Sequence, residues 1–162
     1  TFIRGKTEVA GQSFSEWLVG KRCSSAVTFL PPQPPEVVAR TALQSTVLLN
    51  LAQHQPLSVP AKTFEHLASG RENLLLCEDD SESAQIVAGI PGVTQVDPCN
   101  SAALDRVLLD LYDRHVNEGR LRAPLEKDIA AFSRKISNET FWRIMKSVAM
   151  INTNHPLRES TC

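Results

Sequence analysis

The stretch Asn73-Leu74-Leu75-Leu76-Cys77-Glu78-Asp79-Asp80-Ser81-Glu82-Ser83-Ala84-Gln85-Ile86-Val87-Ala88-Gly89-Ile90-Pro91-Gly92-Val93-Thr94-Gln95-Val96 decides the fold class. It opens on an apolar run, 73–77, closed by Glu78-Asp79-Asp80-Ser81. It ends on a second, 93–96, bounded by Pro91-Gly92 and Asp97-Pro98. Short continuous apolar runs between turn residues fit strands covered on both faces. Between them Ser81 or Ser83 starts a short helix carrying Ala84, Ile86, Val87 and Ala88, stopped by Gly89 and Pro91. Strand, helix, strand in so few residues argues parallel pairing through a helical crossover.

The same alternation continues outward. Upstream, Ala26-Val27-Thr28-Phe29-Leu30 reads as a first strand, closed by Pro31-Pro32-Gln33-Pro34-Pro35. Pro34 or Pro35 opens a helix with Glu36 near its positive end and Val37, Val38, Thr41, Ala42 and Ser45 along one face. Thr46–Leu51 reads either as a strand or as an extension of that helix, and Lys62–Ala68 as one short helix. Downstream, Asn100 or Ser101 caps a longer helix with the stripe Leu104, Val107, Leu108 and Leu111, ended by Gly119. Beyond Pro124, Leu125, Ile129, Phe132 and Ile136 recur at helical spacing. A last helix starts at Ser137-Asn138 and carries Phe141, Ile144, Met145 and Val148. The expectation is a small three-layer α/β/α sandwich on a parallel four-stranded sheet, plus C-terminal helices. Residues 1–19 form an N-terminal extension, 20–124 the α/β domain, and 125–162 a helical extension whose apolar side chains pack on the core.

With 162 residues, 42% apolar, 22% charged and a mean hydropathy of −0.16, the composition is that of a folded soluble domain rather than a disordered chain. No apolar stretch nears the roughly 18 residues of a membrane span, so no membrane partner is expected. A chain that begins at Thr1 and ends at Cys162 is expected to be a segment whose targeting signals lie elsewhere. Charge is uneven: residues 1–40 carry +2, residues 41–112 carry −6 and residues 113–162 carry +3. The middle is an acidic block and the tail is mildly basic.

Chemistry-bearing motifs are sparse. Cys23, Cys77, Cys99 and Cys162 form no CxxC, and His54, His66, His115 and His155 stand at no metal-ligand spacing, so no metal is expected. Cys77, inside an apolar run, reads as a buried free thiol, in keeping with a reducing compartment, cytosol or nucleus, while the spacing of the four cysteines also allows two disulfides. Neither GxGxxG nor GxxxxGK[ST] occurs, and no nucleotide or other cofactor is implied. Glu78, Asp79, Asp80 and Glu82 complement the positive end of the helix that follows them. No Cys/His or Ser/His pairing has a local catalytic signature, so the chain reads as a non-enzyme.

The run Ser83-Ala84-Gln85-Ile86-Val87-Ala88-Gly89-Ile90-Pro91-Gly92-Val93 resembles the second helix and fourth strand of a BRCT domain. The helix that follows, ending near Gly119-Arg120-Leu121, is similar to the family's third helix and its exit. Val27-Thr28-Phe29 followed by Pro34-Pro35-Glu36 resembles the first strand and first helix. The resemblance covers about residues 20–124. It lacks the family's Trp in the third helix and its Gly-Gly pair after the first. It implies that the first and third helices share one sheet face and the second lies on the other. It implies a non-catalytic module that binds proteins or phosphopeptides in nuclear, chromosome-associated scaffolds of repair, checkpoint or kinetochore. The phosphate site so implied comprises the Thr28 and Ser83 hydroxyls, the Phe29 N–H and Gln85, which stands where the family has lysine.

DNA or another nucleic acid is the alternative partner. Arg114, Arg120, Arg122, Lys127, Arg134, Lys135, Arg143 and Lys146 lie close together in sequence, interleaved with Asp113, Glu118, Glu126, Asp128 and Glu139. Arg120, Arg122, Lys127, Arg134 and Lys135 are the candidate phosphate contacts. Phe141 and Trp142 read as core side chains rather than stacking platforms.

Overall fold

A 3-10 turn over Ser24–Ala26 takes up the start of the first expected strand, and proline closes its end. Pro31, Pro32, Pro34 and Pro35 carry no backbone N–H, so no ladder extends through them. In the computed structural model, which describes residues 2–3, 8–9, 11–119 and 122–153 and side chains over 11–119 and 122–147, that strand shrinks to two residues. The chain divides into two compact units, 1–45 and 46–162, with the boundary inside the stretch 20–124.

In the first unit, β1 (Phe2–Ile3) pairs in parallel with β4 (Phe29–Leu30). Between them, β2 (Glu8–Val9) and β3 (Gln12–Ser13) form an antiparallel hairpin leading into α1 (Phe14–Leu18). Ser13 caps α1 reciprocally: its Oγ accepts from the Glu16 N–H at 3.2 Å and its N–H donates to Glu16 Oε2 at 2.9 Å. Phe14 stacks on Trp17 and meets Phe29 edge-on, both with centroids 5.5 Å apart. A Pro at its first position opens α2 (Pro35–Gln44).

The second unit holds β5 (Val47–Leu51), α3 (Ala61–Ala68), β6 (Glu72–Leu76), α4 (Glu82–Val87), β7 (Val93–Val96) and α5 (Ser101–Glu118). The strands form one parallel sheet in the order β5-β6-β7, with Leu49 opposite Leu74 and Leu74 opposite Thr94. The mixed α/β class with a parallel sheet is therefore present, but this sheet has three strands. Thr46–Leu51, open between strand and helix in the sequence, supplies its first, whereas Phe29–Leu30 pairs with Phe2–Ile3.

Both crossovers step the same way across the sheet, so right-handed connections place α3 and α4 on one face. There Leu75, Cys77, Ala52 and Val87 are buried together, with Ala84, Ile86, Ile90 and Val93 against them. Asn50 Nδ2 donates to Thr63 Oγ1 at 2.8 Å, fastening α3 to β5 on this face. On the opposite face α5 buries Leu111 against Leu74 and Val96, flanked by Leu104 and Val107. Burial of each large apolar side chain contributes about 1.5–3 kcal/mol. The two helices expected near 81–88 and 101–117 thus lie on opposite faces. Gly119, at φ +69°, ends α5 in the left-handed conformation that a side chain disfavours.

The C-terminal helices depart from expectation. The periodicity of Leu125 to Ile136 resolves into α6 (Glu126–Ile129) and a 3-10 turn over 130–132. The last helix, α7 (Arg134–Thr153), begins three residues before Ser137 because Ser133 starts it. The Ser133 Oγ accepts from the Ile136 N–H at 3.2 Å and its carbonyl from the Ser137 N–H at 3.0 Å. Phe132 packs against Phe64 of α3 at 5.6 Å. The expected burial of the tail fails elsewhere: Leu125, Phe141, Ile144 and Met145 are exposed, and the Val148 side chain lies outside those described. A 20-residue helix is about 30 Å long, and the eight-residue α3 against which this region packs spans only about 12 Å.

Candidate functional site

Two places in the second unit gather polar or unpaired surface: the carboxyl edge of its sheet and the helix α7. The first is where parallel α/β sheets commonly bind ligands. After β5 the chain turns through His54, held at φ +57°. Its N–H donates to Glu78 Oε1 at 2.9 Å, and this bond holds the Glu78 carboxyl below its ordinary range. Gln95 Nε2 donates to the Cys77 carbonyl at 2.8 Å and to Asp79 Oδ1 at 3.0 Å, tying β7 to the β6–α4 loop. The Glu82 N–H donates to the Pro56 carbonyl at 2.9 Å. The acidic run therefore fastens loops to one another, besides placing Glu82 in the first turn of α4. Cys77 is fully buried, and burial pushes its thiol up, which suits a packing role. Among the described residues no three His, Cys, Asp or Glu gather as metal ligands.

The phosphate residues implied by the family pattern are divided between the two units. Thr28 is exposed just before β4, and Phe29 is within β4, both in the first unit. Ser83 and Gln85 belong to the second. Ser83 is fully buried and its hydroxyl donates to the Ser58 carbonyl at 3.3 Å. Gln85 is exposed, with Nε2 at 3.5 Å from the Asp80 carbonyl. It is Ser81, not Ser83, that caps α4, accepting from the Ala84 N–H at 3.2 Å.

The second place is α7. Arg134 and Lys135 stand in its first turn, with no acidic residue there. Cations at the positive end of a helix are unfavourable by about 0.3–1 kcal/mol each. Phe141, Ile144 and Met145 are exposed by 56, 54 and 46%, and Trp142 by 62%. The Phe141 and Trp142 rings meet edge to face with centroids 5.9 Å apart. Trp142 sits in a shallow dish with Lys135, Asn138, Glu139, Arg143 and Lys146. A groove of about 430 Å³ runs between α3 and the start of α7, lined by Phe64, Leu67, Ile129, Phe132 and Ile136.

Of the candidate nucleic-acid contacts, Arg134 and Lys135 share the first turn of α7, Lys127 is exposed on α6, and Arg122 is exposed ahead of it. Arg120 lies outside the described residues. Phe141 and Trp142, read from the sequence as core, are surface side chains. Their spacing marked an apolar stripe but not what covers it. Among the described residues no helix is long and apolar enough to cross a membrane. Comparison with protein-family models, with curated proteins and with solved structures finds no match for this chain.

Proposed function

We propose that the chain is a non-catalytic protein-interaction module. The observation that carries this is the apolar stripe of α7: Phe141, Ile144 and Met145, each about half exposed, with Trp142 beside them. Contiguous exposed apolar surface of this kind marks interaction sites. The sheet with α4 and α5 on opposite faces is the scaffold that presents it.

The finer assignment, a BRCT-like domain of a nuclear, chromosome-associated scaffold in repair, checkpoint or kinetochore, rests on the resemblance of residues 83–93 and of the helix ending at Gly119. The α4–β7–α5 arrangement supports it. The direct pairing of β5 with β6 and the separate pairing of Phe29–Leu30 depart from an expected four-stranded sheet. Phosphopeptide recognition finds weaker support, since the Ser83 hydroxyl is engaged and Asp79, Asp80 and Glu82 surround the start of α4.

Nucleic-acid binding is the second reading, favoured by the Trp142 dish with its three cations, a stacking platform beside phosphate partners. The test is photocrosslinking in cells from a reactive amino acid placed at Ile144, with position Gln55 as control. Protease-sensitive adducts concentrated at position 144 are expected. Nuclease-sensitive adducts, or equal yields at both positions, overturn the protein-module reading.

A further inference from the structure

Between α1 and β4 the chain runs Gly20-Lys21-Arg22-Cys23-Ser24-Ser25-Ala26, and every one of these residues is exposed. No acidic residue lies between Glu16 and Glu36, so Lys21 and Arg22 stand in an acid-free segment. Lys21 is engaged, its Nζ 4.9 Å from the centroid of the Trp17 ring. Arg22 has no ion-pair partner among the described residues. The turn that follows is held by local bonds. The Ser24 N–H donates to the Lys21 carbonyl at 3.1 Å, the Ala26 N–H to the Cys23 carbonyl at 2.9 Å and the Val27 N–H to the Ser24 carbonyl at 3.4 Å. An exposed turn closed by bonds of this range opens at low cost.

We propose that Ser25 is the phosphate acceptor for a protein kinase that selects arginine three residues before the serine. Kinases discriminate substrates by charge pattern. Arg22 supplies a planar guanidinium for the carboxylates of such a kinase, and Lys21 adds a second cation beside it. In the transfer, the Ser25 Oγ attacks the γ-phosphorus of ATP. The new Oγ–P bond forms as the bond from that phosphorus to the oxygen bridging it to the β-phosphate breaks. ADP leaves, and the hydroxyl proton passes to the kinase's catalytic carboxylate. The phosphate brings a charge of about −1.5 to −2. Residues 1–40 carry +2, so one modification removes the basic character of that segment. Among the described residues the same arginine-to-serine spacing recurs at Arg134 and Ser137. There the serine is inside α7, its N–H donates to the Ser133 carbonyl at 3.0 Å, and Glu139 follows two residues on. A kinase that takes its substrate as extended chain must break that helix and meets a carboxylate with its own. At Ser25 neither obstacle stands.

The test incubates the full chain briefly with magnesium ATP and the catalytic subunit of cAMP-dependent protein kinase, the probe for this specificity class. Mass spectrometry of proteolytic peptides then reads the modified positions. Phosphate is expected at Ser25 well ahead of Ser137. Arg22→Ala should slow modification of Ser25 about tenfold or more, as loss of a charged hydrogen-bonding partner does. Arg134→Ala should leave the Ser25 rate unchanged. Ser25→Ala should abolish incorporation in this turn, which separates Ser25 from its neighbour Ser24. These side chains are exposed, and an unchanged thermal transition confirms that each variant folds. Absence of phosphate at Ser25 overturns the proposal. So does modification of Ser137 in the native chain at an equal or greater rate, a Ser25 rate indifferent to Arg22→Ala, or incorporation in the turn that survives Ser25→Ala. None of these outcomes involves the α7 stripe, and the protein-module reading stands on its own crosslinking test.

Discussion

Arg114 of α5 forks onto Glu72 at the start of β6, with Nη2 at 2.7 Å from Oε1 and Nη1 at 3.2 Å from Oε2. Its Nε also reaches Asp110 Oδ2 at 3.0 Å, one turn back on the same helix. The Glu72 side chain is 2% exposed and that of Arg114 18%. The pair therefore fixes the angle of α5 against the sheet as well as its register. Hydrogen bonding to Glu72 raises the Arg114 guanidinium above its already high ordinary value.

Removing one partner strands a buried charge, which costs about 3–5 kcal/mol. Arg114→Met should destabilise the second unit by that order, and Glu72→Gln by less. The double variant should recover part of the loss, since neither charge then remains buried. Denaturant unfolding of the four members of the cycle checks this. Simple additivity would show that the pair does not couple α5 to β6.

Gly92 turns the chain into β7 at φ +77°, and an added Cβ would stand 2.7 Å from the Ala123 backbone. Gly92→Ala should therefore destabilise by more than the roughly 1–2 kcal/mol of a left-handed alanine, because the backbone of Ala123 must move as well. Gly89, at the same φ but with open space around it, is the control. The difference in unfolding midpoint between the two alanine variants measures the contact.

His54 adopts φ +57° although it carries a side chain. What holds Glu78 is its backbone N–H, which any non-proline residue supplies. His54→Gly should keep that bond and stabilise by about 0.5–2 kcal/mol. His54→Val should destabilise. A Gly variant no more stable than the parent would show that the imidazole contributes through Glu78, whose Oε1 lies 3.7 Å from Nδ1.

Burial lowers the His66 imidazole below its ordinary 6.5, with the Lys62 charge adding and Glu65 opposing. The unfolded chain then binds more protons than the folded one between the two values. Stability should be full above pH 6.5 and decline as pH falls through the lower, folded value. His66→Gln should flatten that part of the profile. The Glu78 carboxyl, also lowered, adds a further decline in the acid range below its own ordinary value. Chemical unfolding followed from pH 8 to about pH 3 reads both.

Cys77 is buried with a raised thiol, while Cys23 and Cys99 are exposed. In the native protein a thiol reagent should modify Cys23 and Cys99 rapidly and Cys77 only on the timescale of unfolding. Peptide mapping after a brief pulse shows which were reached. Rapid labelling of Cys77 would mean that the α4 face opens locally.

Much of the α/β layout was legible. The runs 73–77 and 93–96, the capped helices and the stops at Gly89, Pro91 and Gly119 each announce themselves through local chemistry. Thr46–Leu51 did not, because six mostly apolar residues suit a buried strand or a helix extension equally well. Pairing with β6 decides it. The strand at Phe29 is shorter than its apolar run because Ser24–Ala26 forms a 3-10 turn, which an apolar run does not announce. The polar fastenings were hidden for another reason. Ser83 looks like a helix cap in sequence, but its partner is the Ser58 carbonyl in a separate loop. Glu78 looks like a helix-end acid, but it takes the backbone N–H of His54. The stripe of α7 was visible as a periodicity. Whether the chain's own core covers such a stripe depends on how much of its length other elements span, and periodicity carries no information about that.

The plain sequential order of the sheet has a kinetic consequence. Each strand pairs with the next in the chain: Val47 meets Glu72, and Asn73 meets Val93. Every loop closed on assembly is short, and the entropy of closure grows only as about (3/2)RT ln n with loop length. The sheet has no need to wait for chain made later. During synthesis, β5, β6 and β7 can zip together once residue 96 clears the ribosome, before α5 is complete. Until Leu111 arrives, Leu74 and Val96 remain uncovered. The nascent chain should therefore pass through a stage in which one sheet face is built and the other is bare, the stage at which a chaperone has most to bind.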